Sequence, residues 1–126
     1  MSHITLSEGE WKIMKLLWQK SPRTIAEFVS ELEAETGWTK ATVFVMLKRL
    51  IAKDAVRLDD SGRLHQYYPR IARKDIAPEE TESFLSRVYD GSISMMVSAL
   101  AGRKPLPQEE IRELRRILDE AEHRKE

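Results

Sequence analysis

The chain reads as a mainly α protein with one small β-hairpin, and three observations predict it. Apolar residues recur at helical spacing in three segments before residue 53, and each segment opens on a capping signal. The period then changes to alternation on either side of the turn cluster Asp59-Asp60-Ser61-Gly62. Helical spacing returns after Ile71, and no second hairpin follows.

The first helix follows Ser7-Glu8-Gly9-Glu10, where Ser at the cap and Glu three residues on satisfy two orphan backbone N–H groups. Trp11, Met14, Leu17 and Trp18 mark its inner face as far as about Lys20, and Ser21-Pro22 ends it. Thr24-Ile25-Ala26-Glu27 repeats the capping pattern. The second helix turns Ile25, Phe28, Val29 and Leu32 inward and most of its glutamates outward, and Gly37 breaks it. A third helix starts at the cap Thr39 and carries Val43, Met46, Leu47, Leu50 and Ile51. It stops near Lys53-Asp54, with Asp in the left-handed conformation that Gly usually takes. Val56-Arg57-Leu58 and Arg63 to Tyr68 are the two strands of the hairpin, closed by Pro69.

Three more helices are expected. One lies around Pro78 to Tyr89 with Phe84, Leu85 and Val88 inward, stopped by Asp90-Gly91. The next, Ser92 to Ala101, is apolar most of the way round through Ile93, Met95, Met96, Val97 and Leu100. The last, about Pro107 to Arg124, gathers Ile111, Leu114, Ile117, Leu118 and Ala121 on one side.

Three helices followed by a two-stranded hairpin is the order of a winged helix-turn-helix. Residues 1–70 are therefore expected to form a winged helix-turn-helix DNA-binding domain, and 71–126 a helical dimerisation domain. A segment below about 60 residues is poorly stable alone. A helix apolar on all sides must also be buried on all sides. A second copy of the chain is the simplest cover, so a homodimer is expected.

Composition bounds the function. Lys plus Arg and Asp plus Glu both number 21, so the net charge is zero, which argues against a polycation that coats nucleic acid indiscriminately. Charged residues are 33% and hydrophobic residues 41% of the chain, the balance of a globular protein. With no cysteine, disulfides, thiolate metal sites and Cys nucleophiles are excluded. No apolar run approaches the roughly 20 residues of a membrane span, and no secretory signal opens the chain, so a cytoplasmic setting is expected. His3, His65 and His123 lack ligand spacing, Asp59-Asp60 is turn chemistry, and no catalytic triad or phosphate loop is present. No metal, cofactor or enzymatic activity is expected.

Charge by segment is less even. Residues 7–35 carry net −2, residues 36–73 carry eight basic and three acidic side chains for net +5, and residues 74–126 carry net −3. The excess falls on the third helix and the hairpin, the elements that a winged helix presents to double-stranded DNA. The first turns of the third helix offer Thr39, Lys40, Ala41, Thr42 and Val45 to base edges. Threonine can hydrogen-bond a base, and methyl groups can meet the thymine methyl. Lys48, Arg49 and Arg63 are placed for phosphates, which orient without specifying sequence. Phe44 is either a half-buried packing residue or an exposed ring, and packing is favoured because helical aromatics are mostly buried. Two rivals stand beside DNA binding. One is a winged-helix protein-interaction module with an apolar groove around Phe44-Val45; the other, an enzyme, ranks last.

Several stretches resemble the penicillinase-repressor (BlaI/MecI/CopY) family of winged-helix transcriptional regulators. They include Ser7-Glu8-Gly9-Glu10-Trp11-Lys12-Ile13-Met14, Trp38-Thr39 with Thr42-Val43 and Met46-Leu47-Lys48-Arg49-Leu50, and Gly62-Arg63 with Tyr67-Tyr68-Pro69. Phe84 to Gly91, Met96-Val97 and Glu109 to Leu114 extend the likeness through the second half, over about residues 5 to 124. The resemblance implies a homodimeric repressor of a palindromic operator with TACA/TGTA-like half-sites. It implies base contacts at Ala41, Thr42 and Val45 and backbone contacts at Arg49 and Arg63, with Ala41 and Val45 less polar than the family's usual residues there. Asp54 stands where the family usually has a helix-ending Gly. The apolar faces of the C-terminal helices place the expected dimer contacts on Phe84, Leu85, Val88, Ile93, Met96, Val97, Leu100, Ile111, Leu114 and Leu118. Penicillinase repressors are cut between Asn and Phe in a pathway with a membrane sensor metalloprotease. That bond aligns with Ala99-Leu100, a pair that departs from the pattern. The Cys-x-Cys of copper-responsive relatives is absent, so that route of induction is out. Antibiotic resistance as the regulated output is a family association.

Overall fold

The computed structural model describes residues 4–124, so His3 lies outside the described residues. The elements are α1 (Glu8–Gln19), α2 (Ile25–Thr36), α3 (Lys40–Ala52), β1 (Val56–Asp59), β2 (Gln66–Pro69), α4 (Arg73–Tyr89), α5 (Ile93–Arg103) and α6 (Gln108–His123). They fall into two compact units, Met1–Thr81 and Glu82–Glu126.

Both capping boxes form. The Ser7 and Thr24 side chains accept from the backbone N–H of Glu10 and Glu27, whose carboxylates reach back to the cap N–H groups. α2 ends on Gly37, whose φ of 67° is left-handed and whose N–H reaches the Glu33 carbonyl. Asp54 takes the expected left-handed conformation after α3, with φ of 63°. The core of this unit joins Ile13, Met14 and Leu17 of α1 with Phe28 and Leu32 of α2 and Val43, Leu47 and Leu50 of α3. Ala55, Val56 and Tyr67 close it from the hairpin.

At Gly9, α1 approaches α3 closely. A β-carbon there would stand 2.6 Å from the Met46 Cε and 3.2 Å from the Trp38 ring.

The hairpin is antiparallel, with Arg57 opposite Tyr68 and Leu58 opposite Tyr67. Arg23 extends it by a bridge: its N–H donates to the Tyr67 carbonyl at 3.2 Å, and the Tyr67 N–H returns the bond at 2.9 Å. The buried Arg23 side chain donates from Nε to the Leu16 and Lys20 carbonyls at 3.0 and 2.9 Å, and the Leu16 carbonyl also takes the Lys20 N–H, so Arg23 ties down the end of α1. The returning strand is shorter than the sequence suggested. Arg63, Leu64 and His65 belong to the loop, because the Asp59 carboxylate holds Ser61 by its N–H and its hydroxyl and so closes the turn early.

The first helix after the hairpin begins at Arg73 rather than Pro78. Trp18 Nε1 donates to the Ile71 carbonyl at 2.9 Å, Arg73 lies over the Trp18 ring, and Ile76 is buried in the core. Pro78 sits inside α4, where it removes one ladder bond without ending the helix. These anchors tie the start of α4 into the first compact unit, which extends to Thr81.

In the second unit Ser92 caps α5 by accepting from the Met95 N–H, and α5 runs through Gly102 to Arg103, beyond the expected end at Ala101. Arg116 pairs with Glu113 and Glu120 along α6. No residue of α5 or α6 is buried. No helix among the described residues is long and apolar enough to cross a membrane.

Candidate nucleic-acid interface

The turn from α2 to α3 is built locally. Thr36 donates its hydroxyl to the Leu32 carbonyl and accepts from the Trp38 N–H, while Thr39 caps α3 by accepting from the Thr42 N–H at 3.3 Å. With Val43, Leu47 and Leu50 fully buried, helical geometry turns Lys40, Ala41, Val45, Lys48 and Arg49 to solvent. Thr42 is half-buried, with its hydroxyl 3.3 Å from that of Thr39. Ala41, Thr42, Val45, Met46 and Arg49 line one shallow depression on the outer face of α3. Arg63 is not part of that patch. It stands on the β1–β2 loop, across a second groove from Lys40.

Phe44 is not the packed residue favoured from the sequence. It is 45% exposed, because the buried stripe fixes the rotation of α3 and leaves its ring beside that stripe. Lys48 Nζ rests 5.6 Å from the ring centre.

The eight basic residues of the segment are unequal in the fold. Lys53 is withdrawn: its ammonium donates to the Glu10 carboxylate at 2.6 Å and to the Thr5 carbonyl at 2.7 Å. Burial raises the pKa of Glu10, whose side chain is 1% exposed, but the Lys53 hydrogen bond and the Ser7 N–H outweigh it and hold the carboxyl below its ordinary range. Arg57 stacks over Tyr68 at 4.1 Å, Arg70 lies 3.8 Å from Asp54, and Arg73 lies over Trp18. Lys40, Lys48, Arg49 and Arg63 have no acidic partner among the described residues. In the hairpin turn, hydrogen bonds from Ser61 hold the Asp59 carboxyl below its ordinary range. No cluster of metal-holding side chains occurs among the described residues.

Sequence reasoning missed the Glu10–Lys53 pair, which bridges 43 positions and leaves no local pattern. It also missed Leu64, whose signal was available: a large apolar residue inside a polar turn.

Three helices, a hairpin, and cations without an acidic partner among the described residues, gathered on the third helix and the hairpin loop, define a winged helix-turn-helix protein. Comparison with known proteins narrows this class. The sequence model of the penicillinase repressor family matches residues 6–120, and the chain belongs to that family. It is 36% identical to the penicillinase repressor of Bacillus licheniformis, over 95% of this chain and 94% of that one. It is 27% identical to the methicillin resistance regulatory protein MecI of Staphylococcus aureus, over 90% and 93%. Among solved structures, the DNA-binding domain of the repressor BlaI matches with a TM-score of 0.50 and 34% identity, over 56% of this chain and 85% of that one. Monomeric B. licheniformis BlaI in complex with the blaP half-operator matches with a TM-score of 0.51 and 32% identity, over 59% and 90%.

Proposed function

We propose that this chain is a dimeric, cytoplasmic transcriptional repressor that binds a palindromic double-stranded DNA operator through α3 and the β1–β2 loop. One observation carries the proposal: Arg49 lines the same exposed face of α3 as Ala41, Thr42 and Val45, Lys40 and Lys48 stand on the same helix, Arg63 stands on the hairpin loop, and none of these cations has an acidic partner among the described residues. Thr39, Lys40, Ala41, Thr42 and Val45 meet base edges, while Lys48, Arg49 and Arg63 hold phosphates. The solved BlaI complex with a half-operator supports this assignment by relation.

The second unit pairs two copies. Phe84, Val88, Ile93, Leu100 and Leu118 are exposed, and Leu85, Met96, Val97, Ile111 and Leu114 are half-buried, an apolar set that one chain leaves uncovered. Two recognition helices about one DNA turn apart then read two half-sites. Cleavage at Ala99-Leu100, in a pathway with a membrane sensor protease, is the route of relief that the resemblance suggests. Both residues are exposed, but they lie within α5, so cutting requires that helix to open locally.

Selection of the purified protein against random duplex DNA tests the proposal, with a sharp inverted repeat as the expected product. Arg49→Ala should weaken binding to every sequence and lower the salt slope by roughly one. An unchanged slope and affinity would remove Arg49 from the interface. Absence of any binding at physiological salt would favour the protein-interaction reading.

A further inference from the structure

A cavity of about 220 Å³ lies between α3 and the hairpin. Phe44, Leu47, Lys48 and Ile51 wall it from α3, and Leu58 and Tyr67 wall it from the strands. Leu58 and Tyr67 are cross-strand partners, so their side chains share one face of the sheet. Five of these six side chains are aliphatic or aromatic. The sixth, Lys48, holds its ammonium 5.6 Å from the Phe44 ring centre and has no acidic partner among the described residues. Tyr67 is 1% exposed, and its hydroxyl makes no hydrogen bond among the described residues. Every fully buried side-chain polar atom among those residues has a partner, so this hydroxyl retains accessible surface. Burial pushes its pKa up, so it keeps its proton at neutral pH and stays a donor.

The dimensions and chemistry narrow the occupant. An apolar cavity of roughly 150 Å³ holds one benzene ring. This one has room for a ring and a short charged group, and falls short of the roughly 300 Å³ at which drug-sized pockets begin. Its polar groups are a cation and a hydroxyl, with no carboxylate among the walls, which favours an anion over a cation.

We propose that this cavity binds a small aromatic carboxylate, its ring among the apolar walls and its carboxylate on the Lys48 ammonium, and that the bound acid weakens DNA binding. The coupling rests on the DNA-binding reading above, in which Lys48 holds a phosphate; the acid site does not depend on it. One ammonium cannot serve both anions in full. The cavity also joins α3 to the hairpin, the two elements which that reading sets on DNA. By linkage, operator DNA must weaken acid binding by the same factor that the acid weakens DNA binding.

Sodium benzoate is the probe, with benzyl alcohol as its uncharged counterpart. Each is titrated into the full-length protein without DNA and followed by backbone amide NMR shifts. The shifts should centre on Phe44, Lys48, Leu58 and Tyr67, and benzoate should bind about fivefold more tightly than benzyl alcohol. Lys48→Met should erase that preference and leave benzyl alcohol binding as in the wild type. Leu58→Phe fills the cavity and should abolish binding of both probes, with operator affinity and thermal transition retained. Lys48 is exposed, so its variant tests the site even where Leu58→Phe lowers the transition. Saturating benzoate should weaken operator binding about fivefold in the wild type and leave it unchanged in Leu58→Phe. No benzoate shifts at these residues, equal binding of the two probes, or shifts that persist in Leu58→Phe would overturn the acid site. Benzoate binding that leaves operator affinity unchanged would overturn the coupling. A wild type that binds benzoate here but no duplex would uphold the acid site and remove the DNA-binding reading.

Discussion

The two units of the chain treat their apolar residues in opposite ways. The first buries Leu6, Ile76 and a continuous set from α1, α2, α3 and the hairpin, whereas α5 and α6 bury none. Yet α5 and α6 are rich in leucine, isoleucine and methionine, with Leu118 still 64% exposed. The first unit closes a core on itself, and the second presents apolar faces that a second copy would cover.

The sharpest way to break this contrast is Leu114→Asp. In a two-fold interface the change occurs twice, so association should weaken by about 5 kcal/mol and sedimentation should show monomers. All three tryptophans, Trp11, Trp18 and Trp38, lie in the first unit, so their fluorescence should stay native. A stable dimer carrying Leu114→Asp would show that α6 lies outside the interface. The converse change is Phe28→Ala, which empties the centre of the first core and should cost about 3–5 kcal/mol, read as a lowered tryptophan-detected melting transition. Association should persist, since the residue is remote in sequence from the second unit.

A smaller effect sharpens the account of the first unit. Lys53→Met leaves the buried Glu10 carboxylate without its cation and should cost about 2 kcal/mol at pH 7. The sign of its pH dependence follows from the lowered pKa of Glu10. A carboxyl whose folded pKa lies below its unfolded one adds stability above the unfolded value and loses it as pH falls through the folded value. The gap between wild type and Lys53→Met should therefore narrow as pH drops from 7 through roughly 4 in urea titrations. A gap independent of pH would mean that Lys53 acts through packing alone.

Much of this was legible in the residues. Ser7 with Glu10 and Thr24 with Glu27 announced two helix starts, and Thr39 a third, because a cap is a contact between residues three apart. The spacing of Val43, Leu47 and Leu50 set the rotation of α3 and so which of its side chains meet solvent. Pro78 misled for the same local reason. A proline argues for a helix boundary, but the hydrogen bond from Trp18 to Ile71 and the burial of Ile76 outweigh one missing ladder bond.

The order of elements, the buried stripe of each helix in the first unit and the net +5 on the third helix and hairpin are sums or periodicities along the chain, and so can be read from the residues alone. Which of those charges meet a partner depends on the folded arrangement. Lys53 is bonded to Glu10, Arg57 stacks on Tyr68 and Arg70 lies 3.8 Å from Asp54, while Lys40 and Arg63 line one groove with Phe44 and Leu64. Those pairings join residues far apart in sequence, and a charge is free or spent according to what the fold brings within a few ångströms of it.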